Sequence, residues 1–413
     1  MSATISATPF TPARLQALIA RYDGPVWAYD ADTIRRQIAK LSDFDVIRFA
    51  QKACSNIHIL RLMREQGVKV DAVSLGEIER ALAAGYRPEE IVFTADVIDK
   101  PTLERVSELN ITVNAGSADM LHQLGQRSPG HRVWLRVNPG FGHGHSQKTN
   151  TGGENSKHGI WYQELPQALE TLDRYGLKLV GLHMHIGSGV DYGHLEQVCG
   201  AMVAQVVESG HDLEAISAGG GLSIPYRNDD SEVNTAHYFG LWNAAREKIA
   251  RHLGHPVTLE IEPGRFLVAE SGILLSQVRA VKEMGSRHFV LVDAGFNDLM
   301  RPAMYGSYHP IGTLDCKGES TEARSQVESV VAGPLCESGD VFTQQEGGMV
   351  ETRLLSDPEV GDFLVLYHTG AYGASMSSNY NSRPLLPEVL FDGDELHLIR
   401  RRQTIAELLA LEL

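Results

Sequence analysis

Cysteine is scarce in this chain, with Cys54, Cys199, Cys316 and Cys336 the only four. None is spaced C-x-x-C, which argues against a disulfide framework or a cysteine zinc motif and leaves free thiols in a reducing compartment as the expectation. A Lys/Arg cluster large enough to break the acidic background is also lacking. Lys and Arg total 37 against 52 Asp and Glu, a formal net charge of −15 at pH 7. Nucleic acid and anionic membranes are therefore not expected partners. No apolar run approaches the roughly 20 residues of a membrane span. The N-terminus lacks the basic start and apolar stretch of a signal peptide. A cytoplasmic location is expected. There is no internal repeat, no low-complexity tract and no G-x-G-x-x-G fingerprint.

What is present is ordinary globular material, 43% hydrophobic and 22% charged over 413 residues. That length suits one large domain with a smaller companion. From about residue 31, amphipathic segments of helical length alternate with short runs rich in Val and Ile. Eight strands are expected, at 46–50, 69–73, 91–94, 111–114, 133–138, 179–185, 215–219 and 257–262. Helices are expected at 32–41, 56–65, 76–84, 101–109, 117–126, 164–175, 195–208 and 238–252. Such alternation implies parallel strands with right-handed crossovers, and eight units in about 240 residues match a (β/α)₈ TIM barrel. An open doubly wound sheet would give a similar string. After about residue 265 the texture becomes β-rich, with strands expected at 272–281, 288–292, 327–331, 362–366, 388–391 and 396–401 and a short helix at 404–411. The fold class is α/β, a barrel followed by a C-terminal β-rich sandwich or barrel domain. The Gly-, His- and Asn-rich connection 140–159 is long enough to suggest a binding loop.

Functional groups of such barrels gather where strands end. Lys52 follows the first strand, and Asp71 lies on the second. Arg136 and Asn138 close the fifth, His185 closes the sixth, Gly219, Gly220 and Gly221 follow the seventh, and Glu262 ends the eighth. Lys52 is either a surface lysine with its ammonium in water or an imine-forming amine with a lowered pKa. The triple glycine is either a tight turn or a phosphate cradle of backbone N–H groups. Glu262 and Arg265 are either a structural ion pair or partners for a ring nitrogen and an anion. His183 and His185 share one face of a strand, yet no third ligand stands at a recognisable spacing, so no metal is expected. Cys336 and Glu337 lie in a turn-rich segment where a lone cysteine is either a small hydrophobe or a functional thiol. Residues 369–376 read as a loop that lets backbone pass close to a ligand.

Taken together, the segments Phe49–Ala53, 185–189, Gly219–Gly221, Glu262–Arg265, 297–305, 333–340, 370–372 and 377–383 resemble the fold-type III pyridoxal-phosphate decarboxylases, and within them the diaminopimelate decarboxylase branch. The resemblance covers nearly the whole chain and rests on the joint order of the segments. It implies a barrel at 29–265, a β domain at 266–413 and an N-terminal segment 1–28 joining the β domain. It implies pyridoxal 5'-phosphate as cofactor and a homodimer whose chains share active sites. By resemblance, Lys52 holds the cofactor as a Schiff base and His185 stacks on its ring. Ser188 and Gly219–Gly221 contact the phosphate, Glu262 pairs with the ring nitrogen, and Gly264, Arg265 and Tyr372 complete the cofactor contacts. Cys336 is the implied proton donor, with Glu337 beside it, both from the partner chain. Two departures from the usual pattern are Cys54, where many relatives carry Asn, and the long polar loop 142–157.

The activity so implied is decarboxylation of meso-2,6-diaminopimelate to L-lysine and CO₂, the last step of lysine biosynthesis. Charge counting gives the substrate its own argument. Diaminopimelate has a distal carboxylate as well as a distal ammonium, so its pocket needs a cation beside an acid. Arg301 with help from Arg265 suits the carboxylate, Glu337 suits the ammonium, and Tyr305 and Tyr372 add hydroxyls. A decarboxylase of ornithine, arginine or lysine on the same scaffold is the alternative. A non-catalytic pyridoxal-phosphate-binding protein is the alternative from another class.

Overall fold

A computed structural model describes residues 8–142, 151–185, 187 and 191–413. The expected phosphate contact Ser188 lies outside the described residues. The chain separates into two compact units. Gln37–Ser223 and Glu232–Phe266 form one; Ile224–Ser231, Leu267–Leu413 and the described residues up to Arg36 form the other. Set beside the expected boundaries at 28 and 265, residues 29–36 and 224–231 thus fall in the β-rich unit. The reasons are local. Arg35 bonds Asp392 at 2.7 Å, and the Arg301 guanidinium lies 5.0 Å over the Tyr226 ring.

Among the described residues of the first unit, eight parallel strands build the barrel. They are Val46–Ala50, Lys69–Ala72, Ile91–Ala95, Thr112–Ala115, Arg132–Asn138, Lys178–His183, Ala215–Ser217 and Thr258–Ile261. Each pairs with the next, and the last returns to the first through Glu260↔Val46 and Ile261↔Ile47, which closes a barrel and excludes the open sheet. The strands end slightly earlier than expected near the sixth, seventh and eighth, so His185, Gly219 and Glu262 sit one or two residues past their strands. Most helices between them begin on a short polar side chain that accepts from a backbone N–H of the first turn. Asn56, Ser74, Asp99, Ser117, Asp191 and Asn234 all do so. Such caps contribute about 1 kcal/mol each.

The pairing register decides what points inward. Asp71 pairs with Val92, and Thr94 lies two residues on, paired with Asn114. Asn114 pairs with Trp134, and Arg136 two residues on pairs with His183, which pairs with Ser217. Ser217 pairs with Glu260, and Glu262 lies two residues on. Side chains alternate between faces along a strand, so Asp71, Thr94, Asn114, Arg136, His183, Ser217 and Glu262 share the interior face. The layer beneath holds Val92, Trp134 and Ala215. Gly181 makes room there, since a Cβ would stand 2.7 Å from the Trp134 ring. Arg48 and Glu260, both under a tenth exposed, pair at 2.9 Å in that layer.

The second unit is a mixed sheet built around the long strand Gly272–Met284. Its first half pairs with Val26–Asp30 on one edge and with Phe363–Tyr367 on the other; beyond a bulge near Val278 it pairs with Arg287–Val292. Val26–Asp30 also runs parallel to Glu388–Asp392. Inward-facing Val26, Ala28, Ile273, Leu275, Val365, Val389 and Phe391 form its core, and the helix Pro12–Arg21 lays Leu15 and Leu18 on it. That helix, and the strands Ile311–Leu314 and Arg353–Ser356, were not expected from the sequence.

Candidate active site

Lys52 stands in a single tight turn, Gln51–Ala53, directly after the first barrel strand. Its side chain is solvent-accessible. The turn is anchored beneath by Gln51, which is buried and donates to the Glu77 carbonyl at 3.0 Å. The Lys52 charge lowers the pKa values of Asp71, Glu77 and His185. Just past the adjacent eighth strand, Glu262 accepts from His183 Nε2 at 2.8 Å and from Ser217 Oγ at 2.9 Å. Burial alone would raise its carboxyl. The His183 charge and hydrogen bond, Arg48 in the layer below and the Ser217 hydroxyl outweigh that, and Glu262 stays well below the usual carboxylate range.

Asp71 goes the other way. Burial and the nearby Glu262 charge push its carboxyl well above the usual range, although Thr94 Oγ1 donates to it at 2.5 Å. Asn114 Nδ2 donates in turn to Thr94 at 3.3 Å. Arg136, 8% exposed, lies near Asp96, Glu262 and Asp71; burial lowers its pKa and these carboxylates oppose the shift. Each barrel strand after the first therefore sets one polar group on the interior rim, and Lys52 completes the circle. Thr94, Asn114 and Ser217 were missed in the sequence. The available signal was a polar residue at an inward position of an apolar strand.

His185 accepts the Gly220 N–H on Nδ1 at 2.9 Å, which leaves its proton on Nε2. Burial drives its imidazolium pKa far down, with the charges of Arg136 and Lys52 adding to the effect, so the ring is neutral. The triple-glycine turn packs too closely for side chains. A Cβ at Gly220 would stand 2.5 Å from the Glu262 carbonyl, and one at Gly221 2.4 Å from the Gly187 carbonyl. Gly264 lies against Ala50 and Ala53, which flank Gln51 and Lys52, with a Cβ there 3.2 Å from the Ala50 carbonyl. Arg265 begins the short helix that follows. The structure thus brings Lys52, His185, Gly219, Gly220, Gly221, Glu262 and Gly264 to one rim.

The other expected residues belong to the β-rich unit. Arg301 and Tyr305 bound a short helix. Arg301 is 5% exposed; its Nη1 donates to Tyr226 Oη at 3.3 Å and to His309 Nε2 at 2.9 Å. His309 Nδ1 donates to the Tyr367 carbonyl, which fixes the accepting tautomer. Cys336 and Glu337 are exposed on one loop. Asn381 accepts the Cys336 N–H at 2.9 Å, and the Tyr380 hydroxyl donates to Glu337 at 3.3 Å. Asp340 braces the loop by accepting the N–H groups of Leu335 and Phe296. Tyr372 and Asn381 both have positive φ, at 56° and 54°. Backbone held in that region by non-glycine residues is a feature of functional sites.

An accessible lysine, a neutral imidazole, a carboxylate kept ionised and a turn of three glycines without side chains fit one kind of group. A pyridine aldehyde phosphate needs an amine, a flat ring face, an anion for its ring nitrogen and N–H donors for its phosphate. The family model for the pyridoxal-dependent decarboxylase, pyridoxal binding domain, matches residues 31–269. The chain belongs to the pyridoxal-dependent decarboxylases. Among curated relatives, it is 76% identical over 410 residues to the diaminopimelate decarboxylase of Escherichia coli strain K12, covering 98% of each chain. It is 66% identical to that of Streptomyces coelicolor, covering 97% of this chain and 92% of that one. A solved crystal structure of a diaminopimelate decarboxylase shares 75% identity, with a TM-score of 0.97 over 100% of this chain and 99% of the other. The barrel of this decarboxylase therefore binds pyridoxal phosphate, and none of its described helices is long and apolar enough to cross a membrane.

Proposed function

We propose that this protein decarboxylates meso-2,6-diaminopimelate to L-lysine and CO₂, the closing step of lysine biosynthesis, in the cytoplasm. The observation that carries this reading is the 76% identity to a diaminopimelate decarboxylase across 98% of both chains. The rim geometry supports the chemistry. Bound pyridoxal phosphate supplies an electron sink for the pair left behind when the carboxylate departs.

The residues divide the work. Lys52 would offer the amine that holds the cofactor. His185, neutral and pinned by Gly220, presents a flat face to the ring. Glu262, ionised, holds a proton on the ring nitrogen, which keeps the ring electron-poor. The Gly219–Gly221 turn, with Ser188, receives the phosphate, and Gly264, Arg265 and Tyr372 stand beside the cofactor. Cys336 returns a proton to the substrate carbon, with Glu337 beside it. Both are proposed to reach the site from the second chain of a homodimer, a reading supported by their exposure here.

Substrate choice rests on the distal carboxylate. Arg301, oriented by Tyr226 and His309, is the proposed cation, assisted by Arg265 and Tyr305. Glu337 takes the distal ammonium. CO₂ release assayed with diaminopimelate, ornithine, arginine and lysine tests the reading, and turnover of only the latter three contradicts it. Arg301→Ala is expected to raise the diaminopimelate KM at least about tenfold, as loss of a charged hydrogen bond does, with cofactor affinity little changed. Equal loss of both refutes the role.

A further inference from the structure

The loop 140–159 leaves the fifth barrel strand, and its described parts are tied down with unusual completeness. Asn138, 4% exposed, uses its whole amide. Its Nδ2 donates to the carbonyls of Gly153 and His158, each at 3.2 Å. Its Oδ1 accepts the N–H groups of Gly140 at 3.1 Å and Gly153 at 3.0 Å. One side chain thus ties the outgoing arm to the returning arm. The arms also lie in contact, since a Cβ at Gly152 would stand 2.3 Å from the Phe141 carbonyl. Asp96, just past the third strand, secures the far end. His158 Nδ1 donates to its Oδ2 at 2.6 Å, and the Gly159 N–H donates to its Oδ1 at 2.8 Å.

At the start of the returning arm, Thr151 Oγ1 donates to the carbonyl of His185 at 2.8 Å. His185 is then held on three sides. Gly220 N–H fixes its Nδ1, Gly219 lies against its Cα and Cβ, and Thr151 fixes its backbone. The first two constraints come from the triple-glycine turn; the third comes from the loop alone. A planar ring that must lie flat on another ring tolerates little tilt, so a third constraint on its backbone matters.

We propose that Asn138 and Asp96 are positioning residues that clasp the 151–159 arm, so that Thr151 sets the pose of the His185 imidazole against the cofactor. This rests on the rim being the pyridoxal phosphate site. Thr151→Val keeps the shape and removes the hydroxyl; Thr151→Ser keeps the hydroxyl. Two readouts apply, neither of them turnover. They are the His185 ring ¹⁵N resonances in the cofactor-free protein and the affinity for pyridoxal phosphate from absorbance titration. Thr151→Val is expected to shift the His185 resonances and weaken cofactor binding about two- to tenfold, the worth of one hydrogen bond, and Thr151→Ser to restore both. Asn138→Asp is expected to weaken binding comparably, with no further loss when Thr151→Val is added, because both act through one contact.

A Thr151→Val protein with unmoved His185 resonances and wild-type affinity overturns the proposal. So does a Thr151→Ser protein as impaired as the valine variant, and so do losses that simply add. If the wild-type protein itself takes up no pyridoxal phosphate, the functional reading fails instead, and the two failures are distinguished.

Discussion

On the barrel rim, Asp71, Arg136, His183 and Glu262 are each less than a tenth exposed. In the β-rich unit, Val365, Val389 and Phe391 are as deeply buried among aliphatic and aromatic side chains. Equal burial has opposite consequences in the two places. Apolar area removed from water stabilises by about 25 cal/mol per Å². Buried charges cost several kcal/mol each unless partners compensate. The rim meets that cost with a web of hydrogen bonds and two carboxyls shifted in opposite directions, Glu262 down and Asp71 up. A fold retains such an arrangement where it serves chemistry rather than stability.

That contrast can be broken from either side. The largest effect is expected on the rim. Glu262→Gln removes the ionised partner of the ring nitrogen, and kcat is expected to fall about a hundredfold or more, with the fold retained. Steady-state kinetics together with a thermal melt check this, and a protein with near-normal kcat breaks the assignment. The β core should respond through stability instead. Phe391→Ala empties a site edge-packed against Phe10 at 6.2 Å. The expected loss is about 3–5 kcal/mol of unfolding free energy, read by urea denaturation, with reductive labelling of Lys52 unaffected in the folded fraction.

The smallest effect sharpens the comparison within the rim. Burial and the Glu262 charge raise the Asp71 pKa, so the folded state keeps a proton that the unfolded chain gives up near pH 3.9. Stability from this group is full below that pH and declines as pH rises toward the raised value. Asp71→Asn removes the decline. The variant's melting temperature, relative to wild type, should increase from acid to neutral pH, by on the order of 2 °C. A difference that shrinks as pH rises would show that Asp71 is ionised without penalty.

Much of the barrel was legible because most strands are apolar runs followed by a capped helix, and Val46–Ala50 coincides with its expected span. Lys52, His185, Glu262 and the triple glycine were legible as unusual residues at strand ends. The helix Pro12–Arg21 was missed although Thr11 and Pro12 carry its start signal. Ile311–Leu314 is four partly exposed residues, too short and too wet to stand out. The Asp96–His158 bond joins residues 62 apart, and the pairing of the third, fourth and fifth barrel strands brings them together. Likewise the opposite shifts of Asp71 and Glu262 depend on His183, Arg48 and Thr94 converging from other strands, which no local pattern reveals.

The most direct test of the central claim is chemical. The purified protein is saturated with pyridoxal phosphate, reduced with borohydride and mapped by peptide mass spectrometry. The account predicts a stable pyridoxyl adduct on Lys52 and on no other residue. An adduct on a different amine, or none at all despite bound cofactor, contradicts it.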